Sequence, residues 1–176
     1  AQLARTPGFR GTVVGADFAE PMLRAGAGKA PSDVVSPVVA DALELPFAAS
    51  SMAGAIVAFG IRNLADLDAG LREVLRVLQP GGRFVILEFS TPPSAAVRAG
   101  YHVYFHHVLP FVGQLVSGHG TAYRYLPQSV ASFPSPRALR DRVVCAGFTG
   151  VDWRVMTFGV TALHVGEKSG ISSTSS

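Results

Sequence analysis

One stretch constrains the fold more than any other. Between Asp66 and Leu78, the residues Leu67, Leu71, Val74, Leu75 and Leu78 recur at helical spacing, while Arg72, Glu73 and Arg76 fall on the other face. This amphipathic helix stands between two short apolar runs, Ala55–Phe59 (AIVAF) and Arg83–Phe89 (RFVILEF), each the length of a buried strand. Gln79-Pro80-Gly81-Gly82 is a strong breaker between helix and second run. A strand, a helix and a strand in that order form a βαβ unit, which argues for a parallel sheet.

The pattern extends in both directions. Upstream, Gly11–Ala16 reads as a buried strand ending at Asp17, and Glu20-Pro21 opens a short helix with Pro in its first turn. Pro31, Ser32 and Asp33 break that helix, and Val34–Ala40 is a second β-branched strand ending at Asp41. Downstream, residues 97–116 mix aromatics and histidines with aliphatics and read as one or two helices interrupted by Pro110. Pro136–Ala146 is helical, and Val151–Met156 and Val160–Val165 form two strands, an antiparallel pair joined through Gly159. The expected organisation is one domain over residues 1–168 and a disordered Ser- and Gly-rich tail over 169–176.

Composition narrows the function. Charged residues are 15% of 176, and mean hydropathy is +0.33, so the chain is not intrinsically disordered. The net charge is only +3 and no basic block exceeds two residues, so no nucleic-acid footprint is indicated. A single cysteine, Cys145, excludes an intrachain disulfide framework and a multi-cysteine metal site. No apolar run is long enough for a spanning helix and no signal-peptide pattern opens the chain, so a cytoplasmic location is expected.

Chemistry is expected beyond the carboxyl ends of the strands, where open α/β sheets bind ligands. Asp17, Asp41 and Glu88 stand at such ends. An acid there accepts hydrogen bonds from ribose hydroxyls, and it equally caps the following helix or holds a turn. Arg62 offers five donors at any working pH, suited either to an anionic oxygen or to a surface ion pair with Asp66 or Asp68. Asn63 is a candidate site residue or the cap of the next helix. His102 and His106 share a helical face, but no third zinc ligand at motif spacing accompanies them, so no metal is expected. The absence of a Gly-x-Ser-x-Gly elbow weighs against a hydrolase.

These pieces together match a known pattern. Val14-Gly15-Ala16-Asp17-Phe18, Met22-Leu23, Ala40-Asp41-Ala42-Leu43 with Leu45-Pro46-Phe47, and Leu71-Arg72-Glu73 through Arg83 resemble class I S-adenosylmethionine-dependent methyltransferases. Phe59-Gly60-Ile61-Arg62-Asn63, Leu87-Glu88-Phe89-Ser90-Thr91-Pro92, Tyr123-Arg124-Tyr125-Leu126 with Ser129, and Gly159 to His164 are narrower. They resemble the ubiquinone/menaquinone biosynthesis C-methyltransferases over roughly residues 11–168.

The resemblance implies an α/β, Rossmann-like class I fold and C-methylation of a demethylmenaquinol, or of the benzoquinol of ubiquinone biosynthesis. It places Asp17 as the ribose acid and Asp41 and Ala42 beside the adenine. Ala58 stands where the family often carries a serine, which leaves a backbone contact. Arg62 and Asn63 fall in the loop facing the reacting quinol, and Tyr101, Tyr104, His107, Tyr123 and Tyr125 in the substrate lid. A prenylated quinol implies peripheral contact with the inner face of the membrane, and a homo-oligomer is left open.

In the comparable dinucleotide fold the glycine loop precedes the ribose acid by about 20 residues. Only 16 residues precede Asp17, with no GxGxG among them. The expectation is therefore a fold lacking its first strand, glycine-rich loop and N-terminal cap, with activity of the fragment in question. The other readings are a non-catalytic quinone- or partner-binding subunit and a generic small-molecule methyltransferase.

Overall fold

A computed structural model describes residues 9–26, 34–92, 94, 97, 100, 129–130 and 132–170. The chain divides into two compact units, residues 1–48 and 49–176.

In the first unit, β1 (Val13–Asp17), α1 (Glu20–Gly26) and β2 (Val35–Val39) follow one another. The strands pair in parallel, from Val13 opposite Val35 to Asp17 opposite Val39. The β-branched residues suit a pleated surface, and the intervening helix supplies the crossover that parallel pairing demands. The register brings Asp17 level with the last residue of β2, two residues before Asp41.

The second unit is a four-stranded mixed sheet in the order β3-β4-β6-β5, where β3 is Met52–Ala58, β4 Leu78–Phe89, β5 Phe148–Met156 and β6 Thr161–Lys168. β3 and β4 are parallel, and α2 (Leu67–Val77) connects them as the periodicity predicts. β6 runs antiparallel to both β4 and β5, so the expected antiparallel pair forms. The helix α3 (Pro136–Cys145) precedes it, with Pro at its start and Ser135 accepting from the Ala138 amide as N-cap. Leu71 of α2, Leu78, Phe84 and Ile86 of β4, Leu139 and Val143 of α3, and Phe148 form the buried core. Phe84 and Phe148 meet with ring centroids 5.7 Å apart.

Several boundaries differ from expectation: β3 starts at Met52 rather than Ala55, β5 at Phe148 rather than Val151, and β6 ends at Lys168 rather than Val165. β4 begins at Leu78, directly after α2, rather than at Arg83. Between the pairs Met52–Leu78 and Gly54–Arg83, β4 advances five residues while β3 advances two. The Pro-Gly-Gly segment is thus taken up as a bulge within β4, with Gly81 at φ +78°, instead of separating the helix from the strand. β3 ends at Ala58, because Phe59 turns out of the strand at φ +57°. The stretch 101–128, with its expected helices, and residues 171–176 of the expected tail lie outside the described residues.

Candidate functional site

In the first unit, both acids sit where strands give way to turns, and both organise their own loops. Asp17 Oδ1 accepts from the Ala19 amide at 2.8 Å, which orders the entry into α1. Asp41 Oδ1 accepts from the Leu43 amide at 2.9 Å, and its carbonyl receives the Glu44 amide at 3.1 Å. These are Asx turns, the local role that short acids take when strands end. Each carboxylate spends one oxygen on its turn and is solvent-exposed. Among the described residues the two Oδ2 atoms have no hydrogen-bond partner, so each acid retains an acceptor for a ligand.

In the second unit, chemistry gathers at the carboxyl ends of β3 and β4. The parallel register sets Ala58 beside Leu87, so the turn after β3 lies against Glu88. That turn is a short 3-10 segment, Ile61–Asn63, anchored by the buried Ile61 side chain. Phe59 is held left-handed on three sides. Its amide donates to Leu87 O at 2.9 Å, its carbonyl accepts from Arg62 Nη1 at 2.5 Å, and its ring meets Phe89 with centroids 4.6 Å apart. A non-glycine residue at positive φ costs of order 1–3 kcal/mol and persists only where its surroundings over-determine it.

Arg62 is the centre of this arrangement. Nη1 donates to Glu88 Oε1 at 2.7 Å, Nε to Ser129 Oγ at 3.3 Å, and the guanidinium carbon lies 5.4 Å from the Phe89 ring centroid. Glu88 is a buried carboxylate, 1% exposed along its side chain, and the Arg62 side chain is 10% exposed. The acid also accepts from its neighbours' backbone: Oε1 from the Phe89 amide at 2.9 Å and Oε2 from the Arg62 amide at 3.4 Å. Breaking such a buried pair by removing one partner costs about 3–5 kcal/mol, since the other charge stays buried.

Of the two readings of Arg62, this sets aside the surface ion pair with Asp66 or Asp68. Asp66 instead accepts from the Ala69 amide at 2.9 Å as the N-cap of α2, and Asp68 pairs with Arg142 at 3.0 Å. It also corrects the alternative for Asn63, since the cap is Asp66 and Asn63 lies in the turn before it. Beside the pair, Ser90 Oγ donates to Gly159 O at 2.6 Å, joining the end of β4 to the turn before β6. A cavity of about 100 Å³ opens there, lined by Ser90, Thr91, Val130, Phe133 and Pro134.

A family model, the ubiE/COQ5 methyltransferase family, matches residues 1–168. The chain belongs to this family. A demethylmenaquinone methyltransferase of Thermus thermophilus is 50% identical over 166 residues, covering 93% of this chain and 74% of that protein. A demethylmenaquinone methyltransferase of Clavibacter sepedonicus is 46% identical, covering 89% of this chain but 64% of that one. The ubiquinone/menaquinone biosynthesis C-methyltransferase of Idiomarina loihiensis is 42% identical over 172 residues, covering 96% of this chain and 68% of its own length. The chain thus spans between about two thirds and three quarters of these relatives.

Solved structures agree on the fold. A SAM-dependent methyltransferase of Thermotoga maritima superposes with a TM-score of 0.63 at 16% identity, over 95% of this chain and 86% of that one. The [4+2]-cyclase SpnF superposes at 0.69 with 14% identity, over 96% and 69%. A cyclase on the same fold shows why such likeness carries the class I Rossmann-like architecture and not the reaction.

Among the residues the sequence singles out for this ubiE/COQ5 chain, Asp17, Asp41 and Ala42 stand in the first unit, and Ala58, Arg62 and Asn63 in the second. Arg62 and Asn63 share one turn, and Ala58 ends the strand leading into it. Tyr101, Tyr104, His107, Tyr123 and Tyr125 lie outside the described residues. Glu88 was marked only as an acid at the end of its strand and Phe59 was given no role, yet both hold Arg62. The signal for Glu88 was present: it is the one acid of β4 and follows the apolar run Phe84–Leu87, and a buried carboxylate requires a partner.

Proposed function

We propose that this chain transfers a methyl group from S-adenosylmethionine to a ring carbon of a demethylmenaquinol. The observation that carries the reading is membership of the ubiE/COQ5 family together with relatives named demethylmenaquinone methyltransferase at 41–50% identity. The benzoquinol of ubiquinone biosynthesis is the second substrate, favoured by the Idiomarina relative whose name covers both quinones.

The donor set suits the cofactor. A ribose presents hydroxyl donors and an adenine presents an exocyclic amine donor, and Asp17 and Asp41 each keep an acceptor oxygen exposed. In this reading Asp17 accepts from the ribose, Asp41 and the backbone of Ala42 meet the adenine, and Ala58 contributes backbone contact only. When bound, S-adenosylmethionine supplies an electrophilic methyl group on a sulfonium.

The chain's own residues prepare the nucleophile. A hydroquinone carbon attacks more readily once a phenolic proton has left, because the oxyanion raises electron density on the ring. Arg62 stabilises that oxyanion or orients the water that takes the proton; a guanidinium carries donors and no acceptor, so it does not itself take the proton. In this reading Asn63, exposed in the same turn, makes a second polar contact with the ring oxygens. Tyr101, Tyr104, His107, Tyr123 and Tyr125 are assigned to covering the prenylated ring and excluding water. The prenyl tail brings peripheral contact with the membrane, and no helix among the described residues is long and apolar enough to cross one.

Calorimetric titration with S-adenosylmethionine, followed by methylation of a short-chain demethylmenaquinol, tests this reading. Asp17→Ala is expected to weaken cofactor binding by about tenfold, the equivalent of one lost hydrogen-bonding carboxylate at about 1.4 kcal/mol. Unchanged affinity in the folded variant would remove Asp17 from the site.

A further inference from the structure

We infer that Glu88 is a positioning residue of the methyl transfer, acting through Arg62 with Ser129 as its second hold. The inference rests on the reading above, in which Arg62 faces the reacting quinol.

The hydrogen-bond inventory of one guanidinium carries it. Arginine has five N–H donors in a rigid planar fork. Both hydrogens of Nη1 are taken, by Glu88 Oε1 at 2.7 Å and by the Phe59 carbonyl at 2.5 Å. The single hydrogen on Nε is directed to Ser129 Oγ at 3.3 Å. Among the described residues Nη2 has no partner, so its two donors form the edge left over. Because the fork is planar, fixing Nε and Nη1 fixes the direction of Nη2.

Glu88 is the only charged member of that hold among the described residues. It is 1% exposed, and it gains the Phe89 and Arg62 amides as well as the guanidinium, which locks its own rotamer. The carboxylate also lowers the net charge that Arg62 presents. The site therefore offers an oxyanion two oriented donors rather than a bare cation. Donors already aimed at the developing charge need no reorganisation during the reaction, and that is where their catalytic value lies. Removing the carboxylate raises the local positive charge but frees the fork to swing. In a nearly buried site we expect the loss of orientation to dominate, so the rate should fall.

The test uses the full-length enzyme with a short-chain demethylmenaquinol. Steady-state methylation and S-adenosylmethionine titration are measured for wild type, Glu88→Gln, Arg62→Ala and the double variant. For Glu88→Gln the expected result is a kcat lower by about 10- to 100-fold. Its KM for quinol and Kd for cofactor should stay within about threefold of wild type. The double variant should be no slower than Arg62→Ala alone, because Glu88 acts only through that residue. A Glu88→Gln enzyme with wild-type or higher kcat, beside a crippled Arg62→Ala, overturns the inference and leaves the role of Arg62 standing. A fully active Arg62→Ala overturns both. Should Glu88→Gln fail to fold by near-ultraviolet circular dichroism, Ser129→Ala decides: a kcat drop of about 3- to 10-fold at constant KM, absent on the Arg62→Ala background, supports positioning, and an unchanged kcat refutes it.

Discussion

The imidazole of His164 donates from Nε2 to the carbonyl oxygen of Pro136 at 2.8 Å, joining β6 to the first residue of α3. The residue is 1% exposed, and among the described residues its Nδ1 has no hydrogen-bond partner. Trp153 stacks over the ring at 6.2 Å between centroids. Burial pushes the His164 pKa below its ordinary 6.5, and the Pro136 carbonyl opposes that only in part. Burial therefore favours the neutral imidazole in the fold.

The sign of the pH dependence follows. The unfolded chain takes up a proton near pH 6.5, while the native His164 resists it to lower pH. Stability from this residue is complete above about pH 6.5 and falls on acidification, by at most about 1.4 kcal/mol per pH unit, until the lowered native pKa is passed. Urea melts between pH 7.5 and 5 should show the decline in wild type, and a flatter profile in His164→Gln, whose amide can still donate to Pro136. Parallel profiles for the two proteins would assign the acid sensitivity elsewhere.

A surface ion pair with Asp66 or Asp68 was one of two readings of Arg62, and the separation of Asp66 from Arg62 makes a second prediction. Asp66 caps α2 through the Ala69 amide and has no part in holding Arg62. Asp66→Ala should cost about 1 kcal/mol, lowering the Tm by roughly 2–4 °C, with kcat for methylation unchanged. Asp66→Asn, which keeps an acceptor, should melt close to wild type. A large loss of kcat in Asp66→Ala would restore the surface pair.

Two glycines with positive φ should respond differently to alanine. Gly147, at φ +109° after α3, would place a Cβ 2.9 Å from Cδ2 at the tip of the partly buried Leu75 side chain. Gly81, at φ +78° in the bulge of β4, has open space around it. Gly81→Ala carries the backbone strain alone, roughly 1–2 kcal/mol. Gly147→Ala adds overpacking to the strain, for roughly 2–4 kcal/mol in all. Chemical denaturation that ranks Gly81→Ala as the worse of the two would contradict the packing around α3.

A buried leucine sets the scale for the core. Leu71 is 0% exposed and lies in the cluster that joins α2 to β4 and α3. Leu71→Ala should destabilise by about 2–5 kcal/mol through lost burial and a residual cavity. Leu71→Met, which nearly conserves volume, should cost less than about 1.5 kcal/mol. Equal losses in the two variants by urea titration would mean that shape rather than volume governs the site.

The local elements were legible in the residues themselves. The period of Leu67, Leu71, Val74 and Leu75 determined α2, and the apolar runs determined β3 and the core of β4, because both signals live within a dozen neighbouring positions. The strand-end acids Asp17 and Asp41 could be read as ligand or turn residues, and the fold shows that each holds a turn with one oxygen while keeping the other exposed. What the spacing could not determine was the partner of Arg62. Nearby Asp66 and Asp68 were the obvious choices, but Asp66 is used by its own helix and Asp68 by Arg142. Glu88 lies 26 residues from Arg62 and Ser129 lies 67. Only the parallel register of β3 on β4 brings the first of them to the turn, and only the packing of the second unit brings the other. Helical period and strand alternation are properties of the local chain. The pairing of buried charges is decided by which strands become neighbours and by the cost of leaving either charge unpaired once water is gone.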